Sequence, residues 1–156
     1  MTSLADLIAF LDASPSPWHA AESAADRLLA AGFHEVRLDD PWSVAPSAGF
    51  TRRGAALVAW HGQVGSQAGP FRIVGAHTDS PCLKVKPLPD TGGHGWKQLG
   101  VEVYGGALLN SWLDRDLGVA GRLVDHDGAA HLVAVHDAVA RVPQLAIHLD
   151  REVNER

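Results

Sequence analysis

The residues Phe71-Arg72-Ile73-Val74 form a short apolar stretch that reads as a buried strand, and the run GAHTDSPCLKVKP, from Gly75 to Pro87, follows it directly. His77 and Asp79 therefore fall where that strand is expected to end. Strand ends open into the ligand clefts of α/β folds. One imidazole and one carboxylate at such a position suit a metal-dependent hydrolase. Neutral imidazole binds zinc well, and a nearby carboxylate fixes its tautomer. The same pair also describes a hydrogen-bonded loop histidine beside a turn aspartate. Two residues make a weak motif, and at this point both readings stand.

The chain has 156 residues, enough for a real core. Its formal net charge of -5 argues against nucleic acid as a partner. Cys82 is the only cysteine, so no intrachain disulfide forms, which fits a reducing, cytoplasmic setting. Asp6 and Asp12 interrupt the apolar N-terminal stretch, and no basic segment precedes it, so a signal peptide is not expected. No apolar run approaches the ~20 residues that span a bilayer, so no membrane partner is expected either.

Helices are predicted first. Ser3 caps a helix over residues 3–13, with Asp6 three positions on and Leu4, Leu7, Ile8 and Leu11 at helical spacing. Ser16-Pro17 starts a second helix, which carries Ala21, Ala24, Ala25, Leu28 and Leu29 on one side and stops at Gly32. So many alanines predict close packing against a sheet or another helix. Strands are predicted at 33–38, 55–60, 71–76, 83–86 and 100–104, and a hairpin over 118–124 and 130–136. Residues 62–70 read as a flexible connection and 89–96 as a loop. A composition shift near residue 97 divides the chain into 1–97 and 98–156.

Other candidate chemistry is weaker. Ser80 lacks the Gly-x-Ser-x-Gly setting of a nucleophile elbow, and Cys82, before Leu83 and Val85, reads as a small apolar packing residue. His126, His131 and His136 are spaced by five. Residues five apart on a strand face opposite sides, so His131 and His136 cannot share one ion and read as solvated hairpin residues. No phosphate-binding glycine loop occurs. Trp96 and Trp112 flank the expected boundary and suggest an oligomer contact.

The run GAHTDSPCLKVKP resembles the zinc aminopeptidases of peptidase family M18, the aspartyl aminopeptidase family. FLDASPSPWHA (10–20), LGVEVYGGALLNSWLDRDLGVAGRL (99–123) and RVPQLAIHLDREVNE (141–155) resemble further segments of it, in family order. Four separated matches are far more specific than a lone His-x-Asp.

The resemblance implies an α/β fold: the N-terminal part of a phosphorylase/hydrolase-like zinc exopeptidase catalytic domain over 1–97, and the start of an inserted, mainly β dimerisation domain over 98–156. It implies a cytoplasmic metallo-aminopeptidase with two metal ions, usually zinc, that removes N-terminal, often acidic, residues from peptide substrates. It further implies a homo-oligomer built from dimers, typically a dodecamer. His77 matches the family's first metal ligand and Asp79 the aspartate that orients it. His148, in LAIHL, matches a histidine that reaches the neighbouring subunit's active site. Full members are far longer. Their remaining ligands and general base match nothing here, so the isolated chain is expected to be inactive, as a fragment of such an enzyme. A non-catalytic truncated product or an oligomerisation module is the alternative.

Overall fold

The computed structural model describes residues 3–62 and 69–152. Most of the connection expected over 62–70 lies outside the described residues. The chain forms two compact units, Met1–Ser80 with Ala120–Ala134, and Pro81–Val119 with Val135–Arg156.

The first unit begins with two capped helices. In α1 (Leu4–Asp12) the Ser3 hydroxyl accepts from the Asp6 N–H, as the capping pattern predicts. In α2 (Pro17–Ala30) Ser16 caps and Pro17 occupies the first turn. Its end is a Schellman motif: Gly32 (φ +83°) donates to Leu29 and Phe33 to Leu28. Arg27 joins the helices, bonding Asp6 and lying over the Phe10 ring.

A three-stranded sheet follows, of β1 (His34–Glu35), β2 (Ala48–Arg53) and β3 (Ala56–His61), in the order β1-β2-β3. β1 lies parallel to β2, and β2 and β3 form a hairpin closed by Arg53↔Ala56 and turned at Gly54 (φ +62°). Helix α2 packs on all three strands. Its Ala20, Ala21 and Ala25 are buried, with Val36 and a fully enclosed Phe50 opposite. The expected close packing of the alanine face is thus against the sheet. Arg52 of β2 bonds Glu35 of β1 at 2.7 Å and also pairs with Glu22 of α2, tying three elements at the rim of this core. Gly49 serves a close approach: a Cβ there would lie 2.5 Å from the ring of its cross-strand partner Trp60, whose indole N–H donates to the Pro46 carbonyl.

Two expectations for the first unit need correction. The strand predicted over 33–38 shrinks to His34–Glu35. The strand predicted over 71–76 is absent: this segment joins no ladder, and Phe71, Ile73 and Val74 are 85%, 90% and 96% exposed. Apolar side chains suit a strand there, but a strand exists only where a neighbour satisfies its backbone groups, and no described residue pairs with it.

In the second unit β4 (Cys82–Gly93) and β5 (Trp96–Tyr104) form an antiparallel ribbon. The predicted loop at 89–96 is instead its paired end and turn. His94 and Gly95 both have positive φ (54° and 84°), the pattern of a two-residue hairpin turn. Pairing shifts between Val85 and Asp90, around Pro87-Leu88-Pro89. The hairpin predicted over 118–124 and 130–136 is present as β6 (Leu117–Val124) and β7 (Ala130–Ala140). A parallel bridge between Leu113 and Val142 and a bond from the Asp114 N–H to the Val142 carbonyl (2.9 Å) hold the segment beyond β7.

Phe50 generates a stability prediction. Phe50→Ala is expected to cost about 3–5 kcal/mol in urea denaturation, and Phe50→Leu much less. An alanine cost below about 1 kcal/mol would place the core elsewhere.

Candidate metal centre

His77 and Asp79 lie together in the first unit, in the irregular segment between the described end of β3 and β4. The His77 Nδ1 is 2.6 Å from the Asp79 backbone carbonyl oxygen and 3.4 Å from its carboxylate Oδ1. A carbonyl only accepts, so Nδ1 carries the proton and the lone pair sits on Nε2, the form in which imidazole binds a metal. Asp79 therefore faces His77 with two groups, and its main chain makes the shorter contact. The His77 side chain is 80% exposed. Between the two, Thr78 donates its hydroxyl to the Ala55 carbonyl in the β2–β3 turn, at 2.8 Å. The sequence reading passed over Thr78. Nothing in a threonine's local context points to a partner 23 residues away.

His148 belongs to the second unit. It sits in a turn closed by the Leu149 N–H on the Ala146 carbonyl (2.8 Å), and Leu145, Ile147 and Leu149 around it are exposed. Upstream, the Asp114 carboxylate accepts from the Gln144 N–H and Arg141 pairs with Asp116. The segment before the turn is therefore anchored twice, through the Gln144 main chain and the Arg141 side chain.

Among the described residues no three His, Cys, Asp or Glu side chains gather closely enough to hold a metal ion. His77 fits as one ligand, but a catalytic zinc takes about three protein ligands. The donor set described is one corner of such a site. Cys82 is half-buried and lies across from Tyr104 in the ribbon, as its apolar reading implied.

Among the described residues the remaining histidines form no second centre. His131 and His136 both lie on β7. The His131 Nε2 is 2.8 Å from Asp125, whose other oxygen accepts from the Asp127 and Ala129 N–H groups in the β6–β7 turn. These bonds, that of His131 foremost, hold the Asp125 carboxyl below the usual carboxylate range.

The chain matches the sequence model of the Aminopeptidase I zinc metalloprotease (M18) family over residues 10–156. It is 59% identical over 150 residues to a probable M18 family aminopeptidase 2 of Streptomyces coelicolor, covering 96% of this chain and 35% of that protein. It is 52% identical over 147 residues to the protein of the same name in Mycobacterium tuberculosis, covering 92% and 34%. Among solved structures, a chain in the cryo-EM structure of the Ape4 and Nbr1 complex superimposes with a TM-score of 0.86 at 34% identity, over 97% of this chain and 30% of that one. The mApe1 dodecamer of S. cerevisiae gives 0.77 at 27% identity, over 92% and 36%. The fold is thus the α/β fold of these metallopeptidases. The chain belongs to peptidase family M18. It spans about a third of the length of the curated relatives it matches. No helix among the described residues is long and apolar enough to cross a membrane.

The Asp125 turn gives a pH prediction. A carboxyl lowered by folding stabilises the hairpin above its ordinary value near about 4, and that contribution is lost as pH falls through the lowered folded value. The amide shift of Ala129, which bonds Asp125 and carries no acid of its own, should titrate with a midpoint below the ordinary one, and that titration should vanish in Asp125→Asn. A midpoint at or above the ordinary value would contradict the bonding described.

Proposed function

We propose that this chain is the N-terminal third of a cytoplasmic metallo-aminopeptidase that removes N-terminal, often acidic, residues from peptides. Family membership supports the reaction class. The observation that carries the reading at the level of residues is the His77 imidazole, held by the Asp79 carbonyl with Nε2 as its ligand nitrogen. In this reading residues 1–97 are part of the catalytic domain and residues 98–156 begin an inserted dimerisation domain. The ligands that complete a two-zinc site, and the carboxylate base, come from chain beyond these residues. The 156-residue chain by itself is then inactive.

When bound, the metal would polarise the scissile carbonyl and acidify a water molecule. This chain's own part is narrower. His77 supplies one nitrogen, and the Asp79 carbonyl favours the tautomer with the proton on Nδ1, which leaves the Nε2 lone pair for the metal. His148 acts on a neighbouring copy, donating a hydrogen bond to the carbonyl oxygen as negative charge develops there. Its exposed turn and exposed apolar neighbours support a role at a contact between copies. So does the dodecamer described for the S. cerevisiae relative.

In the full-length protein His77→Ala should lower metal content and peptidase activity together, by roughly 10-fold or more, with the 156-residue chain as the inactive control. Full metal occupancy in that variant would remove His77 from the site. His148→Ala subunits mixed with His77→Ala subunits should recover part of the activity lost in each alone, because one active site in the mixture then has both groups. No recovery would confine His148 to a local structural role.

A further inference from the structure

We infer that Thr78 is a positioning residue for the metal: its bond to the Ala55 carbonyl sets the direction in which His77 presents Nε2. The inference rests on the reading of His77 as a ligand. The segment that carries His77 has no ladder to hold it, and Thr78 stands at a bend within it. A ligand on such a segment samples many directions, and ordering it on metal binding opposes affinity. The Thr78 hydroxyl counters this at the residue next to the ligand. Its acceptor is well chosen: Ala55 lies in the turn of the β2–β3 hairpin, whose register runs unbroken from Ala48↔His61 to Arg53↔Ala56 and whose β2 carries the enclosed Phe50. The anchor therefore lies at the closed end of a paired hairpin whose strand β2 enters the core.

Two hydrogen bonds then divide the task. The Asp79 carbonyl sets the tautomer of the ring, at 2.6 Å from Nδ1. The Thr78 hydroxyl sets the main chain that bears the ring, at 2.8 Å from the Ala55 carbonyl. The His77 ring is bonded across Thr78 to the Asp79 carbonyl, and planar peptides on both sides of Thr78 leave few torsions between the anchored hydroxyl and the ring, so holding Thr78 limits where the ring can point. Metal sites tolerate ligand errors of only about 0.2 Å, so this restriction bears on affinity.

The test uses the full-length protein, stripped of metal, with Zn2+ alone titrated against a chromogenic competing chelator. Thr78→Val keeps the shape and removes the donor. It should weaken Zn2+ binding about 10-fold while leaving the melting temperature of the metal-free form in place. Thr78→Ser, which keeps the hydroxyl, should bind as the unaltered protein does. His77→Ala is measured alongside. If His77→Ala loses Zn2+ while Thr78→Val binds it as tightly as the unaltered protein, Thr78 has no positioning role and the ligand reading survives. If His77→Ala keeps its full Zn2+, the ligand reading fails and the inference goes with it. Should Thr78→Val fold poorly, Thr78→Ala replaces it. If both lower the melting temperature of the metal-free form, the hydroxyl supports the fold rather than the ligand, and the inference is overturned.

Discussion

The first unit depends on how closely α2 can approach its sheet. Ala20, Ala21 and Ala25 put methyl groups where longer side chains would hold the helix off, and Phe50 fills the space that remains. Burial of one aromatic side chain against a small-residue face orders several elements at once: the helix, the parallel β1 and the β2–β3 hairpin. Arg52, bonded to Glu35 and paired with Glu22, closes the polar edge of that contact. The Ala55 turn that receives Thr78 closes the hairpin whose β2 carries Phe50 into this contact. The candidate metal ligand is therefore supported indirectly by a hydrophobic contact.

The legible parts of the fold were those set by local chemistry. Ser3, Ser16-Pro17 and Gly32 each act within four or five residues, so both helices could be read with their caps. The β6–β7 hairpin was legible for the same reason. The failures concern partners that sequence spacing does not encode. Residues 71–76 have the composition of a strand and no neighbour among the described residues, and composition alone cannot supply one. Residues 48–53 went unread because Gly49, Thr51, Arg52 and Arg53 lack a strand's apolar run. Their places are set by Trp60 across the pair and by Phe50 beneath it. His94-Gly95 was a readable two-residue turn, but the glycines and prolines around it suggested a longer loop.

At the candidate site, family resemblance picked out His77, Asp79 and His148, and geometry then assigned atoms to two of them. A His-x-Asp spacing implies that the carboxylate holds the imidazole. In this chain the aspartate's carbonyl lies nearer, at 2.6 Å against 3.4 Å for the carboxylate oxygen. That assignment depends on backbone direction within three residues, which no motif records. Thr78 shows the same limit more strongly, since its partner lies in another hairpin.

The interruption of β4 at Pro87-Leu88-Pro89 has a consequence for association. A strand at the margin of a ribbon is a template onto which any extended chain can be added, one hydrogen bond after another. Proline has no N–H, so two of the donors such an addition would use are missing, and the register shift between Val85 and Asp90 divides the rest into two short stretches. Leu88 is left almost fully exposed, but on a stretch of main chain that cannot propagate a sheet. The ribbon thus exposes an apolar side chain while its backbone resists indiscriminate growth.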